Sequence, residues 1–161
     1  MSFDLFKLKH WQVFLLLVGL LIAIALVRSL ITFLLPWWFG VPFDLLTTVV
    51  MMSYPLLAWH RLLPQAGSYI SQWTEPNTIR LAVVAVVGVQ VLVYLVGFGF
   101  IGNLLWLAQV AGWIIIIAAP ARLMKSIELG RNAEVSDFIP EALLFFIWPI
   151  GVFWLQPRLA R

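Results

Sequence analysis

The chain has 161 residues, of which 63% are hydrophobic and only 11% charged; its net charge is +3 and it has no cysteine. A water-soluble domain usually carries about a quarter charged residues, so this chain has too little polar surface to coat a globule in water. No cluster or stripe of Lys and Arg accompanies the positive charge, which argues against nucleic acid, and the absence of cysteine excludes disulfides, thiolate catalysis and Cys-based metal sites.

Five apolar runs fill most of the chain, at 11–35, 43–63, 81–101, 104–120 and 138–155. A bilayer core takes about 20 apolar residues of helix, and several runs reach that length. The expected fold class is all-α, a polytopic transmembrane helical bundle with four to five membrane segments and short loops. Residues 1–161 are expected to form a single integral membrane domain.

The first run follows Lys7 and Lys9. It is too long for a signal-peptide core and no small-x-small cleavage site follows it, so it is expected to remain as an uncleaved helix. Arg28 lies about two turns before its end, where a charge is costly. Either it snorkels to the headgroups or it pairs with Asp44, which opens the second run. The connection at 36–42 carries Trp37, Trp38 and Phe39 without Lys or Arg, and reads as an aromatic belt. His60 sits beside Arg61 at the end of the second run. His10 is equally isolated, and two distant histidines without a carboxylate cluster make no metal motif. The connection at 63–77 holds Tyr69, Ile70 and Trp73, and is either an interfacial segment or an ordinary loop.

The third and fourth runs read as antiparallel neighbours joined by a tight turn at Gly102 and Asn103. Gln90 and Gln109 fall mid-run. Counted from that turn they differ in depth by about 10 Å, so each is expected to bond another helix or a partner subunit. Ala108 and Gly112 form a small-xxx-small step, and Gly88, Gly97 and Gly99 offer further close-approach points. Residues 122–130 extend the fourth helix, with Lys125–Glu128 and Glu128–Arg131 spaced to pair along one face and Gly130 as its stop. Ser136 or Asp137 can cap the next helix, with Pro140 tolerated in the first turn. Glu141 reads as a carboxylate favoured at a helix N-terminus.

The last run contains Pro149 and Gly151. A proline removes a backbone hydrogen bond and kinks a helix. A kinked crossing is the simpler reading; re-entry on the side of origin is the other, and would require the irregular backbone to be buried in protein. Pro149 is expected to face protein, Pro157 to end the helix, and Gln156 and Arg158 to bring donors to its end.

Lys7, Lys9, Arg61, Arg80, Arg122, Lys125 and Arg131 all fall on one side of this topology, and none falls in the connections opposite. The positive-inside rule then puts the N-terminus in the cytoplasm. If the last run crosses, Arg158 and Arg161 end outside. No nucleophile motif, paired-carboxylate site, phosphate loop or metal signature is present, and no cofactor is expected.

The two ends carry a resemblance. Lys9-His10-Trp11-Gln12-Val13-Phe14, the stretch Lys125-Ser126-Ile127-Glu128-Leu129-Gly130 through Phe138, and Trp148-Pro149-Ile150-Gly151 with Gln156-Pro157-Arg158 resemble a group of small uncharacterised multi-pass membrane proteins from Bacteroidetes-type bacteria. The likeness covers about a third of the chain. Ala160 and Arg161 stand where the group carries an Asn. The resemblance implies a bacterial inner-membrane home and singles out Glu128, Pro149, Gln156 and Arg158; it implies no mechanism.

The function expected is that of a non-enzymatic membrane protein acting through protein partners, as an accessory subunit of a larger complex or as a homo-oligomer. Its partners would be the lipid bilayer and other membrane subunits or further copies of itself. A small oligomeric pore or transport protein, with Arg28, Asp44, Gln90 or Gln109 along its path, is a second reading. A membrane-interface enzyme acting on lipid through Glu141 or His60 is a third.

Overall fold

In hydrocarbon every backbone N–H and C=O must be paired inside its own segment, so apolar runs of this length become helices. The computed structural model describes residues 9–72, 74–96 and 100–159. Among them lie six α-helices: α1 (His10–Leu34), α2 (Val41–Ala66), α3 (Pro76–Val96), α4 (Phe100–Leu129), α5 (Val135–Phe146) and α6 (Trp148–Leu159). Four, α1 to α4, are long and apolar enough to cross a membrane. The chain is an all-α transmembrane helical bundle. It divides into two compact units: residues up to Tyr54 together with the chain from Leu143 onward, and Pro55–Ala142.

In the first unit α1 starts where the Gln12 side chain accepts a hydrogen bond from the Lys9 N–H at 2.9 Å, satisfying one of the N–H groups that a helix start leaves open. Val13, Leu17 and Ile24 are buried on one face of α1, and α1 packs on α6. Phe14 and Phe153 meet there with ring centroids 5.1 Å apart. α6 buries Val152, Leu155, Gln156 and Leu159, which share one helical face. Tyr54 and Phe145 are fully buried and lie 6.0 Å apart between ring centroids.

The last apolar run is not one kinked helix. It breaks at Ile147, whose carbonyl accepts the N–H groups of Ile150 and Gly151, each at 2.9 Å. Pro149 has no N–H to carry α5 onward. A side chain on Gly151 would collide with the carbonyl of Leu144. In an unbroken helix two residues with this separation in sequence lie about 10 Å apart along the axis, so the chain bends sharply here. α5 and α6 have 12 residues each, or about 18 Å of helix, short of the roughly 30 Å hydrocarbon core. The Pro149 side chain lies outside the described residues. Pro157 does not end α6, which continues to Leu159. One missing N–H is tolerated there, as it is at Pro55 and Pro64 in α2 and Pro120 in α4.

In the second unit α3 and α4 pack along each other. α3 buries Ile79, Ala82, Val86 and Val89, and α4 buries Ile116, Ala119 and Leu123. Gly112 makes the approach close: a Cβ there would lie 2.7 Å from Val86 Cγ2 and 3.1 Å from the Ala82 carbonyl. Gly88 does not act this way within the chain. It is exposed, with none of the described residues within 4 Å of the place where a Cβ would stand. Ala108 is also exposed, so only the Gly112 end of the small-xxx-small step is used. Gly97 and Gly99 lie outside the described residues.

The expected turn at Gly102 and Asn103 is corrected. α4 already begins at Phe100, so both residues lie in its first turn. A Gly-Asn pair has turn chemistry, but the helix accommodates it. The far end of α4 stops at Gly130, whose φ of 64° is the left-handed conformation of a helix C-terminal glycine. α5 is capped from within: the Asp137 carboxylate accepts the N–H of Glu134 at 3.0 Å. Ser136 sits inside the first turn and is not the cap.

The connection at 63–77 contains a three-residue 3-10 turn, Gly67–Tyr69, and is tied back to α2. The Trp59 indole N–H donates to the Thr74 carbonyl at 3.0 Å. The buried Thr74 hydroxyl accepts the Ser71 N–H at 2.8 Å and donates to the Ser71 carbonyl at 3.1 Å. Trp73 lies outside the described residues.

Candidate functional site

Charges placed among apolar helices must be paired or reach water. In the first unit Arg28 meets Asp44. Its Nη2 donates to Asp44 Oδ2 at 3.2 Å, and its Nε makes an ion pair with Oδ1 at 2.5 Å. The short connection, with its 3-10 turn Trp37–Gly40, brings the start of α2 back beside the last turns of α1. Gly40 leaves the room: a Cβ there would press on Thr32 Cγ2 at 2.8 Å and stand 3.8 Å from Arg28 Nε. The Thr32 hydroxyl donates to the Arg28 carbonyl at 2.9 Å. Asp44 also lies in the first turn of α2, where the helix dipole favours a negative charge.

In the second unit the polar groups gather where α4 gives way to α5. Lys125 Nζ lies 3.1 Å from Glu141 Oε1 and 3.6 Å from Glu128 Oε2, so one ammonium bridges the two helices. Glu141 is only 5% exposed and its carboxylate is held by this cation; the helix-start role expected for it falls to Asp137, because α5 already begins at Val135 and Glu141 lies in its second turn. Arg131 pairs with Asp137 at 2.9 Å and not with Glu128 as the spacing suggests, because the left-handed Gly130 ends the helix between them. The buried Ser126 hydroxyl accepts the Ala133 N–H at 2.9 Å. These contacts fix the turn between α4 and α5.

Gln90 and Gln109 are half-buried on α3 and α4. With α3 ending at Val96 and α4 starting at Phe100, Gln90 is six residues before the connection and Gln109 nine after it. Their depth offset falls to about 5 Å, so depth no longer separates them. Gln156 is 2% exposed on α6. Arg158 is half-buried in the last turn of that helix, where a cation meets the negative end of the dipole.

Two grooves open in the second unit. One, of about 900 Å³, has Ile114, Ala118 and Phe138 among its lining residues, with Arg122 and Glu134. The Arg122 Nε is buried there without a hydrogen-bond partner among the described residues. The other, of about 580 Å³, lies between the end of α2 and the start of α3 and includes His60 and Arg80 in its lining. The Lys125–Glu141 bridge and the His60–Arg80 groove were not singled out from the sequence. A charge followed by a glycine stop and a carboxylate in the next helix is the signal for the first; nothing in the spacing signals the second.

Among the described residues no three His, Cys, Asp or Glu side chains come together as a metal site would require. Compared with protein-family models, curated proteins and solved structures, the chain matches none. The arrangement is chemically suited to hold helices of the chain in register and to meet lipid.

Proposed function

We propose that the protein is a non-enzymatic membrane component that acts through protein partners, as an accessory subunit of a larger membrane complex or as a homo-oligomer. The observation that carries this reading is Gly88. It stands mid-helix on the exposed face of α3, flanked by exposed Leu81, Val84, Val91 and Leu95. A glycine inside a helix costs about 1 kcal/mol relative to alanine, and Gly88 receives no neighbour among the described residues in return. Glycine notches on apolar helix faces allow a second helix to come close. Gly19 on α1 is exposed in the same way, with nothing near it.

The same reading takes the membrane to be a bacterial inner membrane, as the resemblance of the chain's ends implies, with the N-terminus cytoplasmic. The Lys and Arg distribution supports that orientation. The break at Ile147 and the shortness of α5 and α6 support re-entry of this segment. Four spans return the chain to its side of origin. α5 then starts from that side, and Phe153 packs on Phe14, one turn into α1. A C-terminus on the cytoplasmic face leaves Arg158 and Arg161 with the other positive charges.

The protein extracted in mild detergent should run in light scattering as more than one polypeptide, either as copies of itself or with other subunits. Gly88→Leu should reduce it to a single chain while its helix content and melting stay close to the parent. A single-chain mass for the parent would contradict the proposal.

A further inference from the structure

The groove of about 580 Å³ between α2 and α3 falls within the roughly 300–1,000 Å³ of sites that hold small ligands. Its walls are of two kinds. Leu56, Ile79, Val83 and Val84 form an apolar side, while His60 and Arg80 stand at its polar side. Among the described residues no acidic side chain lines it. Both polar residues are exposed, and neither makes an ion pair with a carboxylate among the described residues. Trp59 presents its ring, since its indole N–H is already given to Thr74. Pro76, Ile79 and Arg80 belong to the opening turns of α3, so the positive end of a helix dipole adds to the field. Residues of both membrane spans line the groove, which places it within reach of lipid. The groove at Arg122 offers less for an anion, because Glu134 lines it too.

We propose that the groove seats an anionic phospholipid of the surrounding bilayer. The Arg80 guanidinium and the His60 ring N–H donate to the lipid phosphate, and an acyl chain lies against Leu56, Val83 and Val84. Zwitterionic lipid offers the same tail, but its own ammonium offsets the phosphate charge that Arg80 recognises.

The test is native mass spectrometry of the detergent-purified protein incubated with phosphatidylglycerol or phosphatidylcholine. Phosphatidylglycerol should be retained in preference. Arg80→Gln should weaken its retention about fivefold, the size expected for one cation at a lipid surface, and His60→Gln should weaken it further. Leu56→Trp, which fills the apolar side without touching the charge, should also lower retention. Arg131→Gln, which removes one positive charge elsewhere, should leave it unchanged. Equal retention of both lipids, an equal loss with Arg131→Gln, or displacement by inorganic phosphate at concentrations matching the lipid would overturn the proposal.

Discussion

The carbonyl of Leu144 occupies the space that a side chain on Gly151 would need. These two residues mark the sharp bend that divides the last apolar run into the two short helices α5 and α6. Gly151→Ala is therefore expected to destabilise the protein by about 1–3 kcal/mol, the usual cost of forcing an extra methyl into a packed site. Its melting temperature in detergent should fall, whereas Gly19→Ala, with open space around it, should leave melting unchanged or raise it.

The re-entry proposed for α5 and α6 also makes a topological prediction. The chain has no natural cysteine, so single cysteines can be placed at Asn132 and Ala160. Both should react with an impermeant maleimide only after the cytoplasmic face is opened. Reaction of the Ala160→Cys protein from outside in intact cells would restore a crossing.

Most of the helical framework could be read from the chain. The first three spans follow from apolar length, and the Gly130 stop follows from the one residue type that adopts a positive φ without strain. The pairing of Arg28 with Asp44 could be anticipated because only a short connection separates them. The break at Ile147 could not be measured from sequence. Pro149 and Gly151 announce a bend, but its angle depends on how closely the backbone at Leu144 is approached. The bridge from Lys125 to Glu141 depends on the direction in which α5 leaves Gly130, which spacing alone does not fix.

Arg28 and Asp44 should behave as a coupled pair. Arg28→Leu and Asp44→Leu should each lower the melting temperature, and the double variant should recover part of the loss. The side chains are 44% and 23% exposed, so solvent screens the pair and the coupling should be small, about 1 kcal/mol. Additive losses would remove the ion pair from the account.

Lys125 and Glu141 should show a larger effect. Lys125→Met leaves the carboxylate of Glu141 buried without this cation, and removing one partner of a buried pair costs about 3–5 kcal/mol. Lys125→Met with Glu141→Leu removes both charges and should be more stable than Lys125→Met alone. Chemical denaturation in detergent would compare the three proteins. A Lys125→Met protein as stable as its parent would show that the bridge contributes little.

Whether a protein sits on the Gly88 face of α3 is open to direct measurement. A photoreactive amino acid placed at Val84 or at Val91 and activated in native membranes should give discrete protein adducts, which Gly88→Leu should abolish. Adducts with lipid alone at both positions, in the parent and the variant alike, would contradict a role through protein partners at this face.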